Sequence, residues 1–230
     1  MMKLNDGLSP VQMRHAGPPL MLMAVIYPLL MIAGGSTLIA AFRVPHDSAA
    51  TAVAYVAQHS WTIRWGSFCE FASAIPLAVF VAAVVSRLRF LRVRAAGELI
   101  ALCGGIGSAG MLLLSALATW SLTRPGIAEA TGAVRTLQAL GFAGGGPGFA
   151  VTLGLFVAGV SLSAGLHHLI PRWLMWLGVF VAVACELSSL TLLVFNAGYF
   201  IPVGRFVSVV WMIGIAATLP AHLATRPDAP

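Results

Sequence analysis

Apolar residues in this chain run in long blocks and do not alternate with polar ones. Uncharged stretches cover 19–42, 65–69 continuing through 71–86, 99–123, 136–166, 173–185 with 187–204, and 206–221. A helix rises about 1.5 Å per residue, so about 20 residues cross a hydrocarbon layer of ~30 Å. The blocks therefore predict six transmembrane helices, near 20–42, 65–86, 97–121, 147–169, 173–196 and 205–224. The fold class is an all-α, polytopic membrane helix bundle over 19–225, with a polar segment at 1–18 and a short tail at 226–230. No linker is long enough to separate two domains.

Punctuation inside the blocks refines this. Residues 136–166 are too long for one upright span, and GGGPG (144–148) sits within them. Glycine lowers helix stability and Pro147 supplies no ladder hydrogen bond. The expectation is a helix over 128–143, a break, and a second helix from 148, so that the fourth span is preceded or interrupted by a Gly/Pro break. Backbone exposed at such a break survives in a membrane only when buried in protein or lining water, and broken helices mark transport sites. Asp47 or Ser48 is placed to cap a short interfacial helix near 49–60. Trp61 with Trp65, and Trp173 with Trp176, suit the two membrane interfaces. Gly97, Ala101, Gly105 and Ala109 recur every four residues, a small-residue face that lets helix backbones approach. That face belongs in the bundle centre or against a second copy or another membrane protein.

Composition agrees with this class. Of 230 residues 59% are hydrophobic and 9% charged, and the mean hydropathy is +0.93. Soluble domains carry roughly 25% charged residues, so this chain has too few to cover itself for water. The net charge of +6 reads as orientation, not as a nucleic-acid footprint. Six spans put Lys3, Arg14, Arg87, Arg89, Arg92, Arg94, Arg172 and Arg226 on one side, and Arg43, Arg64, Arg124, Arg135 and Arg205 on the other. Basic residues favour the cytoplasm, so both termini are expected there. Cys69, Cys103 and Cys185 fall inside apolar spans without a CxxC pair, which argues against a disulfide framework or a thiol metal site. The first apolar stretch is longer than a secretory signal's core, so it is expected to be retained.

Two acidic residues interrupt the apolar blocks. Glu186 lies in VAVACELSSLTLLVF (181–195), ten residues before Asn196 and so roughly 15 Å below that interface. Glu70 lies in CEFASAIPL, which shares Cys-Glu-x-x-Ser-x-x-x-Leu with CELSSLTLL (185–193). An acidic residue at a span centre costs roughly 2.5–3.5 kcal/mol and has to be protonated, paired or wetted. Ser189 is one turn from Glu186, the cations expected on that side of the membrane are Arg64, Arg135 and Arg205, and Gln138 lies one turn beyond Arg135. These residues define an expected outward-facing polar cavity of Glu70, Glu186, Ser189, Arg135, Gln138, Arg205, Gly144, Gly145 and Gly146, with Glu186 in one network with Arg135 or Arg205. A rival set at the inner face, His167, His168, His222 and Glu98, has the side chains for a metal ion but not a HExxH spacing. No catalytic residue is assigned and no cofactor motif occurs: GVSLS (159–163) lacks the glycine that follows a rhomboid-type serine.

The stretches SAIPLAVFVAAVVSRLRFLRVRAAG (73–97), RTLQALGFAGGGPGFAVTLGLFVAG (135–159), PRWLMWLGVFVAVACELSSLTLL (171–193) and PVGRFVSVVWMIG (202–214) together resemble an uncharacterised family of bacterial membrane proteins that carries a domain-of-unknown-function label. The resemblance spans most of 60–220, and its specific parts are GGPG and ELSxL. It implies a six-span protein of the bacterial inner membrane and supplies no activity. The expected function is small-molecule or ion binding and transport through the polar cavity. The alternatives are a structural or accessory subunit that packs through the glycine face, and a metal-dependent membrane enzyme at the inner face.

Overall fold

The computed structural model describes residues 15–35, 48–93 and 96–222. The far end of the first expected span, the loop residues Arg43 to Asp47, Arg94, the first 14 residues and the tail at 226–230 lie outside them. Eight α-helices follow in order among the described residues: α1 Leu20–Ala33, α2 Ala49–Gln58, α3 Ser60–Phe90, α4 Ala96–Ser121, α5 Thr131–Ala143, α6 Phe149–Leu166, α7 Arg172–Leu187 and α8 Phe200–Thr218. Among the described residues, five helical runs are long and apolar enough to cross a bilayer: 60–90, 96–121, 131–166, 172–192 and 195–218. The chain is a multi-pass membrane protein. The described part of α1 has 14 residues, about 21 Å.

Six helices close a ring. α1 packs on α3, α3 on α4, α4 on α6, α6 on α7, α7 on α8, and α8 returns to α1. Large apolar side chains such as Leu29, Ile32, Ile106, Phe180 and Leu193 point outward, where lipid replaces water as solvent. The interior is filled by Phe80 (α3), Phe156 (α6) and Trp211 (α8), all fully buried and stacked edge to face at 6.2 Å and 5.7 Å. Such aromatic pairs contribute beyond their area. α2 lies beside this ring and is capped as its sequence suggests, with the Ser48 hydroxyl accepting from the Thr51 N–H at 3.2 Å.

Of the two places expected for the face of Gly97, Ala101, Gly105 and Ala109, the structure shows the bundle centre. Gly97 and Ala101 lie against Gly159 and Ser163 of α6, Gly105 against Val81 of α3, and Ala101, Gly105 and Ala109 are buried. Apart from van der Waals contact there is little to draw membrane helices together, so the ring's own α3–α4–α6 contacts consume the small residues. The GGGPG stretch, in turn, is not a break. Helix continues from Thr131 to Leu166 through a π-helical turn at Gly144–Gly148. The Phe149 N–H reaches back five residues to the Gly144 carbonyl. This wider turn tolerates the missing Pro147 N–H without exposing backbone to lipid, where an unpaired group would be costly.

The chain's two described ends meet. The His15 N–H donates to the Ala221 carbonyl at 2.9 Å, and the Arg87 guanidinium donates to the Leu219 carbonyl at 3.2 Å. His15 Nε2 lies 3.0 Å from Ser86 Oγ, and its ring meets Phe90 edge-on at 5.3 Å. This end of the bundle also carries Arg89, Arg92 and Arg172 and is called the arginine-rich end below.

Two predictions follow from this packing. A Cβ at Gly104 would sit 2.6 Å from the Phe156 backbone nitrogen and 2.7 Å from the Thr152 carbonyl oxygen. Gly104→Ala should therefore force α4 from α6 and cost about 1–3 kcal/mol in an unfolding titration in mixed micelles. Burial first, and the Arg87 charge second, hold the His15 pKa below its usual 6.5. The folded chain thus binds this proton more weakly than the unfolded chain does, so the contribution is complete above pH 6.5 and is lost as pH falls below it. Hydrogen exchange at 219–221 should quicken on acidification through that window, and His15→Ala should flatten the dependence.

Candidate functional site

Every helix of the ring contributes to one polar centre that lies toward the end opposite the arginines. Glu70 is six residues past Arg64 on α3, Ser115 six before the end of α4, and Arg205 five past the start of α8. At the helical rise Ser115 and Arg205 lie about 8–9 Å from their helix ends, and Glu70, ten residues past Ser60, about 15 Å from its own. Ser115 Oγ lies 3.0 Å from Glu70 Oε1 and 2.9 Å from the Gly141 carbonyl oxygen. The Arg205 guanidinium, buried to 3% exposure, donates to the Gly145 carbonyl at 2.8 Å and stands 4.6 Å above the Phe149 ring. Tyr27 of α1 is fully buried, within the electrostatic reach of both Arg205 and Glu70, and its hydroxyl faces Met31 Sδ at 3.6 Å. Cys185 of α7 fills the space between Gly154 and Gly204.

The three glycines of the π turn explain why the centre forms there. A Cβ at Gly144 would meet the Met111 carbonyl at 3.3 Å, and one at Gly146 would meet Ile201 of α8 at 3.2 Å. At Gly145 it would come to 2.5 Å from Ser115 Oγ and 3.0 Å from Glu70 Oε1. The missing side chains let α3, α4 and α8 all reach one backbone. Glu70 and Arg205 attract one another across Gly145 without forming a direct ion pair. Among the buried polar atoms without a hydrogen-bond partner in the described residues are Arg205 Nε, Gln138 Oε1 and Thr191 Oγ1. Gln138 is buried on the helical face it shares with Val134, Gly141 and Gly145.

Glu70, Arg205, Gln138 and Gly144 to Gly146 thus fall on one side of the molecule as the sequence suggests. Glu186 and Ser189 do not join them. Val181, Ala182, Ala184 and Cys185 take the inward positions of α7, and at 100° per residue the next residue turns outward. Glu186 is exposed in a groove between α6 and α7, with no ion pair to Arg135 or Arg205. The Ser189 hydroxyl donates to the Glu186 main-chain carbonyl at 2.6 Å and not to its carboxylate. The α-helix also ends at Leu187 and continues as a 3-10 turn, Ser188–Leu192. Arg135 is half-buried ten residues before Gly145, about 15 Å along the helix.

The rival inner set stays dispersed. His167 Nδ1 lies 2.8 Å from the Ser163 carbonyl, His168 occupies a left-handed turn at φ 53°, and Glu98 pairs with Arg89 at 3.1 Å. Among the described residues, no three His, Cys, Asp or Glu side chains gather closely enough to hold a metal ion. Ser115, Tyr27, Gly141 and Phe149 escaped the sequence reading. For Ser115 a signal existed: Gly104, Ser108, Ser115 and Thr119 share one α4 face, so polar groups line a face that the spacing marks as buried.

Compared with protein-family models, curated proteins and solved structures, the chain matches none of them.

If Gly145 is glycine because the side chains of α3 and α4 crowd it, Gly145→Ala should cost about 1–3 kcal/mol. Ser115→Ala in the same chain should recover most of that loss, because it removes the atom nearest the added methyl. A double-mutant cycle on the same unfolding titration reads the coupling.

Proposed function

We propose that this chain is a bacterial inner-membrane protein that binds and moves a small ligand or ion at its polar centre, and that the ion is the proton carried by Glu70. The observation that carries the reading is the Ser115 hydroxyl, which has one proton and two acceptors in reach. With Glu70 ionised, Ser115 donates to the carboxylate, and the Gly141 carbonyl keeps its backbone partner, the Gly144 N–H. With Glu70 neutral, its own O–H donates to Ser115 Oγ, which frees the Ser115 proton for Gly141. Proton occupancy at Glu70 is thereby transmitted to the backbone that enters the π turn. Arg205, bonded to the same turn at Gly145, is positioned to respond.

The aromatic stack of Phe80, Phe156 and Trp211 lies deeper than this centre, toward the arginine-rich end. The stack closes the centre on that side. The meeting of His15 with Ala221 beside Arg87 supports both termini on the arginine-rich side, and the positive-inside bias supports that side as cytoplasmic. A second reading, a purely structural centre, is favoured by one observation: Arg205 and Ser115 both donate to main-chain carbonyls, as a packing bolt would.

Proteoliposomes loaded with a pH-sensitive dye and given an imposed pH gradient distinguish the two. Glu70→Gln should lower proton flux at least about tenfold, and Ser115→Ala should lower it less. Equal flux in wild type and Glu70→Gln, with both chains folded, would discard transport and leave the bolt.

A further inference from the structure

Glu186 supplies a second site, independent of the polar centre. Its groove has a volume of about 510 Å³ and is walled by Ala158 and Leu162 of α6 and by Val179, Ala182 and Val183 of α7. That lies within the 300–1,000 Å³ typical of small-ligand sites. The carboxyl group rests against Gly154, where a Cβ would come within 3.2 Å of Glu186 Oε1. Among the described residues, no cation or hydrogen-bond donor meets the carboxylate. The groove opens sideways between two lipid-facing helices, so its natural access is from the bilayer.

Depth selects the occupant. Glu186 is fourteen residues past Arg172, about 21 Å from the arginine-rich end and so well inside a ~30 Å layer. A phospholipid headgroup keeps its phosphate at the interface and does not carry its amine so deep. A molecule with one positive charge, no phosphate and an alkyl body does, because the aliphatic wall takes the body and the carboxylate takes the charge. Leaving a carboxyl on a lipid-facing surface is otherwise costly. We propose that the α6–α7 groove binds lipophilic monocations of the alkylammonium class, entering laterally from the membrane and pairing with Glu186.

The test uses the full chain in lipid nanodiscs, with radiolabelled dodecyltrimethylammonium as probe and empty nanodiscs as background. Saturable binding is expected. Glu186→Gln should weaken it at least about tenfold, the loss of one desolvated charge pair. Dodecanol, of equal chain length and no charge, should not compete. Ala182→Leu, which fills the groove and keeps the carboxylate, should also weaken binding, so that a misfolded Glu186→Gln chain is not mistaken for support. Glu70→Gln should bind as wild type, which keeps this result separate from proton flux. Binding equal in wild type and Glu186→Gln overturns the proposal. So does binding that disappears whenever phosphatidylethanolamine is present, which would assign the groove to a lipid headgroup. A particle mass that halves in Glu186→Gln overturns it as well, since a second copy would then cover the groove.

Discussion

The bond from Arg205 to the Gly145 carbonyl joins the last helix of the ring to the one distorted turn in its longest helical run. Hydrocarbon offers neither donor nor acceptor, so every polar group at depth has to find its partner within the protein. Pro147 removes one N–H, and the π turn redistributes the bonds around it. The carbonyls of Gly141 and Gly145 are then served by side chains from α4 and α8. Arg205 in turn is tolerated because it has a carbonyl to bond, an aromatic face to lie on and a carboxyl group across the turn. Each part of this centre removes a cost that another part creates.

The two intramembrane glutamates show how little sequence context says about role. Both follow a cysteine and precede a serine by three residues. Glu70 points inward to Ser115 and the π turn, whereas Glu186 points outward beside Gly154. The difference comes from which neighbours take the buried positions. On α7 the inward place goes to Cys185, wedged between two glycines of adjacent helices. A shared local pattern therefore gives one carboxyl a protein environment and the other a lipid-facing one. An acidic group in the first is part of the packing, and in the second it faces the groove between α6 and α7.

Small residues do similar work throughout. Gly97, Gly104 and Gly105 of α4, Gly154 and Gly159 of α6, and Gly204 of α8 each accept a neighbour where a Cβ would collide. Without a hydrophobic driving force between helices, such close approach supplies the van der Waals contact that holds a ring together. The same economy leaves little of the α4 small-residue face for any partner.

From the chain alone one could read the membrane class, the helical blocks, the cap at Ser48 and the concentration of arginine at one end, because these depend on hydropathy and on contacts within a few residues. Glu70, Arg205 and the Gly144–Gly146 turn were legible as candidates, since a charge or a glycine run inside an apolar block is conspicuous wherever it falls. Their grouping was expected as well, but the exclusion of Glu186 was not, nor the survival of helix through GGGPG. Those were decided by which helices adjoin in the ring and how each is rotated about its axis. Rotation is set by packing against neighbours distant in sequence, and a shift of one residue, 100° around a helix, turns an inward carboxyl to the lipid.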